Sequence, residues 1–415
     1  MKNLFKLLAV SALCGVMFTA CDPTEEQQTP GGDNIDDATN MSGAISENKT
    51  LPDLGLDVDY IVDGMLSIEG NALLTIEPGV TIMFTGTNGG IEVGENAGLK
   101  MVGTADKPIK FVGPANNINN GSWDHIKYNS TRADNQMEYV YMIRGGSSDQ
   151  DWAGVLLNYG RLSMKNCTID GSLCNGVDIY QSDNNKGYFT AFEGNTIKNC
   201  AWYPVYDESG VTHVKNFGSN TYTSNGKNYI YVGGGDELTD NFTLTNQGIP
   251  YLFGSLHMGG QYTFTIEAGT RMLFNADGYM EIDENTILSA EGTEANPIVI
   301  RGFRDEPGFW NGVRYNSTSA SSKMVYCKIF DAGHSDSWSD QCLYIDGDSR
   351  GTFTNCEFGN SQYYGVVIDR IENFNRINHS GCTFSNNEAG NVLVWDGGTY
   401  NGQEYESGQV LDALP

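Results

Sequence analysis

Basic residues are scarce: 24 Lys and Arg against 52 Asp and Glu leave a net charge of −28. That balance argues against nucleic acid, which rewards Lys/Arg clusters, and against a polyanion held by generic charge. It fits neutral glycans, calcium or plain colloidal solubility. No apolar run reaches the roughly 20 residues that a membrane-spanning helix needs, and no stretch of useful length carries the helical amphipathic period. There is no C-x-x-C, and no His stands at metal-ligand spacing from a Cys. G-x-S-x-G, H-E-x-x-H, the P-loop and the dinucleotide fingerprint are all missing. His125, His213, His257, His334 and His379 are scattered and form no repeated pattern. Cysteines Cys167, Cys174, Cys200, Cys327, Cys342, Cys356 and Cys382 follow the N-terminal pair Cys14 and Cys21, and three of them follow an Asn. That regular placement reads as small buried hydrophobes at one strand position.

The N-terminus reads as a targeting segment. Lys2 and Lys6 precede an apolar run over residues 7–18, the length of an export signal. Phe18-Thr19-Ala20-Cys21 resembles the cleavage and lipidation site of bacterial lipoproteins, with Phe where Leu is usual. The resemblance implies a signal peptide over 1–20 and a lipid anchor at Cys21, whose acyl chains hold a membrane at about 0.8 kcal/mol per buried CH₂. Loss of the signal takes the net charge to −30. Residues 22–37 hold six acidic residues and no basic one, with two Pro and two Gly. They cannot bury enough apolar surface to fold, so 21–40 is expected to be a flexible tether. An acidic stretch behind a lipidated Cys also resembles the signal that carries some Gram-negative lipoproteins to the exterior face of the outer membrane.

From there the chain states nearly the same thing twice. Residues 73–84 read LLTIEPGVTIMF and residues 263–274 read TFTIEAGTRMLF. Each is followed by a G-T…P-I string, a Trp (Trp123, Trp310) and Y-N-S, with an offset that drifts only from 190 to 187. Such a duplication marks a repeat architecture, with copies over 41–227 and 228–415. Apolar residues recur as i, i+2 pairs: Leu74/Ile76, Ile82/Phe84, Ile91/Val93, then Phe264/Ile266, Met272/Phe274, Met280/Ile282. Period two means strands with one buried face. Every third strand returns after about 25 residues, as from Leu66 to Ile91 and Leu74 to Leu99. Three short strands per coil, stacked coil on coil, predict an all-β, right-handed parallel β-helix with a tandem duplication. A propeller needs four strands per blade, and a sandwich needs longer strands. Trp123 and Trp310 sit just before core pairs and read as structural.

The string I-E-P-G-V-T-I-x-F, then G-T-x-x-x-P-I-x-F, then W-x-x-I resembles the repeat unit of bacterial right-handed parallel β-helix surface lipoproteins, over roughly residues 45–400. The resemblance implies a fold and a cell-envelope location. It does not imply one activity, because these solenoids carry enzymes, adhesins and scaffolds alike.

Two constellations recur outside the core pattern. One is an acidic loop with a Trp: Asp149, Asp151 and Trp152 against Asp336, Trp338 and Asp340. Paired carboxylates in a short loop can hold calcium, and a Trp beside them can stack on a sugar face. The other is a pair of adjacent aromatics at one turn position, Trp202-Tyr203 and Tyr363-Tyr364. Neighbours in a strand alternate, so at least one of each pair is expected to point outward, and stacked outward aromatics would make a flat platform for sugar rings. No catalytic set is assigned: the N-x-D, D-D, G-H-G and R-I-K strings of polygalacturonase-type enzymes are not assembled. The leading expectation is a surface-exposed lipoprotein that binds glycan or another envelope component without catalysis. The alternatives are a polysaccharide lyase or glycoside hydrolase, and an adhesive scaffold for a cell-surface protein.

Overall fold

A computed structural model describes residues 37–147, 153–182, 185–208, 210–235, 237–334 and 341–415. The alternation seen in the sequence drives the fold. Leu74, Ile76, Ile82, Phe84, Ile91 and Val93 face inward and are at most 1 % exposed, while Thr75 and Glu92 between them are only half-buried. Strands Leu73–Ile76, Thr81–Phe84 and Gly90–Val93 make one coil, and Gly98–Val102 then returns over Leu73–Ile76. Parallel in-register pairing stacks like on like: Leu74 faces Leu99, Ile82 faces Phe111 and Ile91 faces Ile126. The result is an all-β parallel solenoid of about 13 turns, as the sequence predicts. Helix among the described residues is limited to two 3₁₀ segments, Val211–Val214 and Ile371–Arg376. No described helix is long and apolar enough to cross a membrane.

One continuous core runs from Met41 to Tyr405. Aromatic stacks thread it: Phe84 lies 5.1 Å from Trp123, and Phe274 lies 4.5 Å from Trp310. Both Trp residues are fully buried. Each satisfies its indole N–H on a neighbouring coil, donating to the Ile143 carbonyl at 2.8 Å and to the Phe330 carbonyl at 2.7 Å. The repeated Y-N-S has a matching reason. Tyr128 and Tyr315 fill the core, and the hydroxyls of Ser130 and Ser317 donate to the carbonyls of Ala97 and Thr286 one coil below.

One sheet passes through the whole solenoid, and the others do not. In the first half the coil has three columns. Strand Thr81–Phe84 stands in the second of them, pairing onward to Ile109–Val112 and Val140–Ile143. Its counterpart in sequence, Arg271–Phe274, stands elsewhere: it continues the third column, through Tyr251–Phe253, Ile230–Val232 and Val205–Asp207. The columns therefore shift by one place near residues 230–253. The six-stranded sheet ending at Tyr188–Glu193 stops there, and new six- and seven-stranded sheets begin at Phe242–Leu244 and Leu256–Met258. At the far end the antiparallel strand Gln409–Leu411 covers Gly390–Asp396, beside the hairpin of Gly398–Tyr400 and Gln403–Tyr405. Such a cover blunts a sheet edge that would otherwise template further pairing.

Candidate functional site

The outer face of the continuous sheet carries an aromatic patch just before the column shift. Val205–Asp207 turns Val205 and the buried Asp207 inward, Ile230–Val232 turns Ile230 and Val232 inward, each leaves a tyrosine outward, and the pairing sets Tyr206 directly opposite Tyr231. Their rings are parallel within 11° with centroids 4.7 Å apart. Parallel rings that close must overlap face to face, so their faces are turned along the solenoid and their hydroxyl edges outward. Tyr203 joins them, 5.5 Å from Tyr206 and 5.7 Å from Tyr231.

Trp202 and Tyr203 sit in the turn that leads into Val205–Asp207. The Trp202 N–H donates to the Cys174 carbonyl and the Lys227 N–H donates to the Trp202 carbonyl, each at 3.0 Å. These bonds stack three successive turns, and they set Lys227 over the pair. Its ammonium lies 4.4 Å from the Trp202 ring centre and 4.7 Å from that of Tyr203, well inside the roughly 6 Å reach of a cation on an aromatic face. Trp202 stays 43 % exposed while Tyr203 falls to 9 %. Carboxylates border the patch. The Tyr206 hydroxyl donates to Glu208 at 3.2 Å. Asp178, opposite Tyr206 on the next coil, accepts from the Asn175 amide at 3.2 Å. The Tyr203 N–H in turn donates to Asn175 Oδ1 at 3.2 Å. Burial first, and the Glu208 charge after it, push the Tyr206 phenol above its ordinary pKa; burial also raises Tyr231. Both remain neutral donors near pH 7. The patch can accept a ring on Trp202, a cation against the rings, and hydrogen bonds at the phenol edges.

Trp202 and Tyr203 lie in a turn, with Trp202 exposed, Tyr203 buried and both rings under one ammonium. Tyr206 and Tyr231 stack on each other and so turn their edges rather than their faces outward. The matching pair Tyr363-Tyr364 does not join the patch. Tyr364 opens strand Tyr364–Arg370 of the seven-stranded sheet, opposite Gln341 and Gly390. The column shift thus places the two pairs on different sheets. Asp149, Asp151, Trp152, Asp336, Trp338, Asp340 and Cys21 lie outside the described residues. Among the described residues, no group of three His, Cys, Asp or Glu side chains is spaced to hold a metal ion. A shallow surface depression bordered by Asp346, Arg370 and Asn373 contains none of the candidate residues.

The sequence reading missed Tyr206, Tyr231, Lys227, Asp178 and Glu208. The two tyrosines had a signal: V-Y-D and I-Y-V stand 25 residues apart, one coil, with the tyrosine at the outward position. Lys227 had none, because its place over Trp202 depends on the register of irregular turns.

Residues 43–202 match the family described as a pectate-lyase like beta helix domain. The matched segment ends at Trp202, so Tyr206, Lys227 and Tyr231 fall beyond it. No curated protein and no solved structure matches the chain.

Proposed function

We propose that this chain is a lipid-anchored protein of the outer membrane, facing the cell exterior, whose solenoid binds carbohydrate without catalysis. The observation that carries the reading is the patch of Trp202, Tyr203, Tyr206 and Tyr231 on the one sheet common to the whole solenoid. An exposed indole beside phenol edges and a carboxylate is the mixture that sugar recognition uses: apolar ring faces for C–H surfaces, and neutral donors and acceptors for hydroxyls. The acidic tether and the lipidation string at Cys21 support display at a surface. The family match over 43–202 is compatible with carbohydrate ligands.

The test is affinity gel electrophoresis of the full chain through a panel of polysaccharides. Retardation by at least one polymer is expected, with Trp202→Ala lowering the affinity about tenfold, since covering roughly 50 Å² of apolar surface on the indole face is worth about 1.3 kcal/mol. Release of reducing ends or unsaturated products by the wild type would replace binding with catalysis. In bacterial cells producing the full chain, Cys21→Ser is expected to move the protein out of the membrane fraction; retention there would remove the anchor from the proposal.

A further inference from the structure

The ammonium of Lys227 is the feature of the patch that carbohydrate binding alone does not explain. Some lysines of the first half pair with carboxylates, as Lys165 does with Glu193, Lys198 with Asp170 and Lys215 with Asp240. Lys227, like Lys49, Lys100 and Lys110, has no carboxylate within ion-pair distance among the described residues, but it differs from those three in what it touches. It rests on two rings instead, at 4.4 and 4.7 Å. The ring faces available to it belong to Trp202 and Tyr203, and Tyr203 is backed by Tyr206 and Tyr231 at 5.5 and 5.7 Å. Glu208 and Asp178 add negative charge at the rim. Indole and phenol faces with carboxylates at the edge form the chemistry of a cage for an organic cation. The whole chain, at −28, draws cations toward it.

Resting on the carbohydrate reading, we infer that the patch selects a ligand bearing an ammonium group, and that Lys227 is the resident stand-in which that group displaces. The ligand enters against Trp202 and Tyr203 as Lys227 swings into solvent. Lys227 is exposed and its backbone hydrogen bond to Trp202 does not depend on its side chain, so the exchange leaves the turn intact. A quaternary ammonium is more weakly hydrated than the lysine it replaces and competes on that ground, while a polymer-borne primary ammonium competes through the added contact of its sugar ring with Trp202. Two sources share this chemistry: a small quaternary ammonium, and an amino-sugar polymer with free amines.

The experiment compares the full chain with Lys227→Met and Lys227→Arg. Choline is titrated by calorimetry, and glycol chitosan and its N-acetylated counterpart are run in affinity gels. Lys227→Met removes the competing charge, and binding of the cationic probes should tighten roughly two- to fivefold, the worth of one exposed cation–aromatic contact. Lys227→Arg keeps a competing cation and should match the wild type. Trp202→Ala in the Lys227→Met background should remove the gain. Choline binding alone would assign the small source, and glycol chitosan alone the polymer. Unchanged or weaker cation binding by Lys227→Met overturns the inference. So does equal retention of the N-acetylated polymer, which would leave the carbohydrate reading standing. No retention of any polysaccharide and no choline heat would end both.

Discussion

Buried phenols and thiols set how this protein responds to alkali. Tyr128, Tyr222, Tyr251 and Tyr315 stand in the core, where burial raises each pKa, that of Tyr315 to about 12. The thiols of Cys167, Cys200 and Cys342 are likewise pushed up to about 12 by burial. Cys356 and Cys382 are raised too, first through each thiol's hydrogen bond to its neighbour in the Cys327–Cys356–Cys382 stack. For a group whose folded pKa lies above its unfolded one, the stabilisation is complete below the unfolded value and is lost as pH rises through the folded one. Unfolded thiols and phenols titrate from about 8.5 and 10. Thermal melts should therefore be level from pH 7 to 8.5 and fall steeply between about 9 and 12. A melting temperature that holds constant to pH 12 would show that these groups ionise as readily in the folded chain as in the unfolded one. The thiols are also where the sequence reading did well: Asn-Cys at regular spacing meant a buried small side chain, and six of the seven described cysteines are buried.

At the level of the coil, one turn explains that Asn. Backbone with φ near +50° repeats up the stack as Tyr139 (50°), Asn166 (52°) and Gly194 (69°), and again as Tyr326 (48°), Asn355 (52°) and Gly381 (66°). At each level the N–H donates to the coil above, from Tyr139 to Lys165, Asn166 to Glu193 and Tyr326 to Thr354. A left-handed residue reverses the chain just before the next strand, and Asn or Gly adopts that conformation at least cost. The sequence displayed the Asn and its spacing but not the torsion, and Tyr139 and Tyr326 are disguised because Tyr is a poor marker of positive φ. Asn355→Val should lower stability by about 1–2 kcal/mol, the cost of a left-handed L-residue, and Asn355→Gly should stay close to wild type. Urea denaturation of the three proteins measures both. Equal loss in the two variants would shift the role of Asn355 from its torsion to its side-chain contacts.

Over the whole molecule, the long sheet both unites the halves and marks where they are weakest. Alternation and the 25-residue return were enough to read the solenoid, because each inward pair is a local pattern. The column shift was not legible: it is a choice of partner between Ile230–Val232 and Tyr251–Phe253, and each candidate partner offers the same apolar alternation. That choice decides the site as well, since it separates Tyr363-Tyr364 from Trp202-Tyr203. At the shift the long sheet pairs only through those two three-residue strands. Alongside, the six-stranded sheet gives way to the single bridge from Phe192 to Phe217. A solenoid's stability is close to a sum of nearest-neighbour interfaces, so the interface with the shortest ladders opens first. Among the described residues, backbone hydrogen exchange should be fastest, outside the termini, across 210–217 and 237–241. Phe253 lies fully buried opposite Val232 across the shift and 5.5 Å from Phe274 beyond it, and Phe253→Ala removes about 3–5 kcal/mol, shared between those two interfaces. Calorimetry of the variant should show two transitions where the wild type shows one. A single transition merely shifted to lower temperature would mean that the unbroken sheet couples the halves more tightly than its short ladders imply.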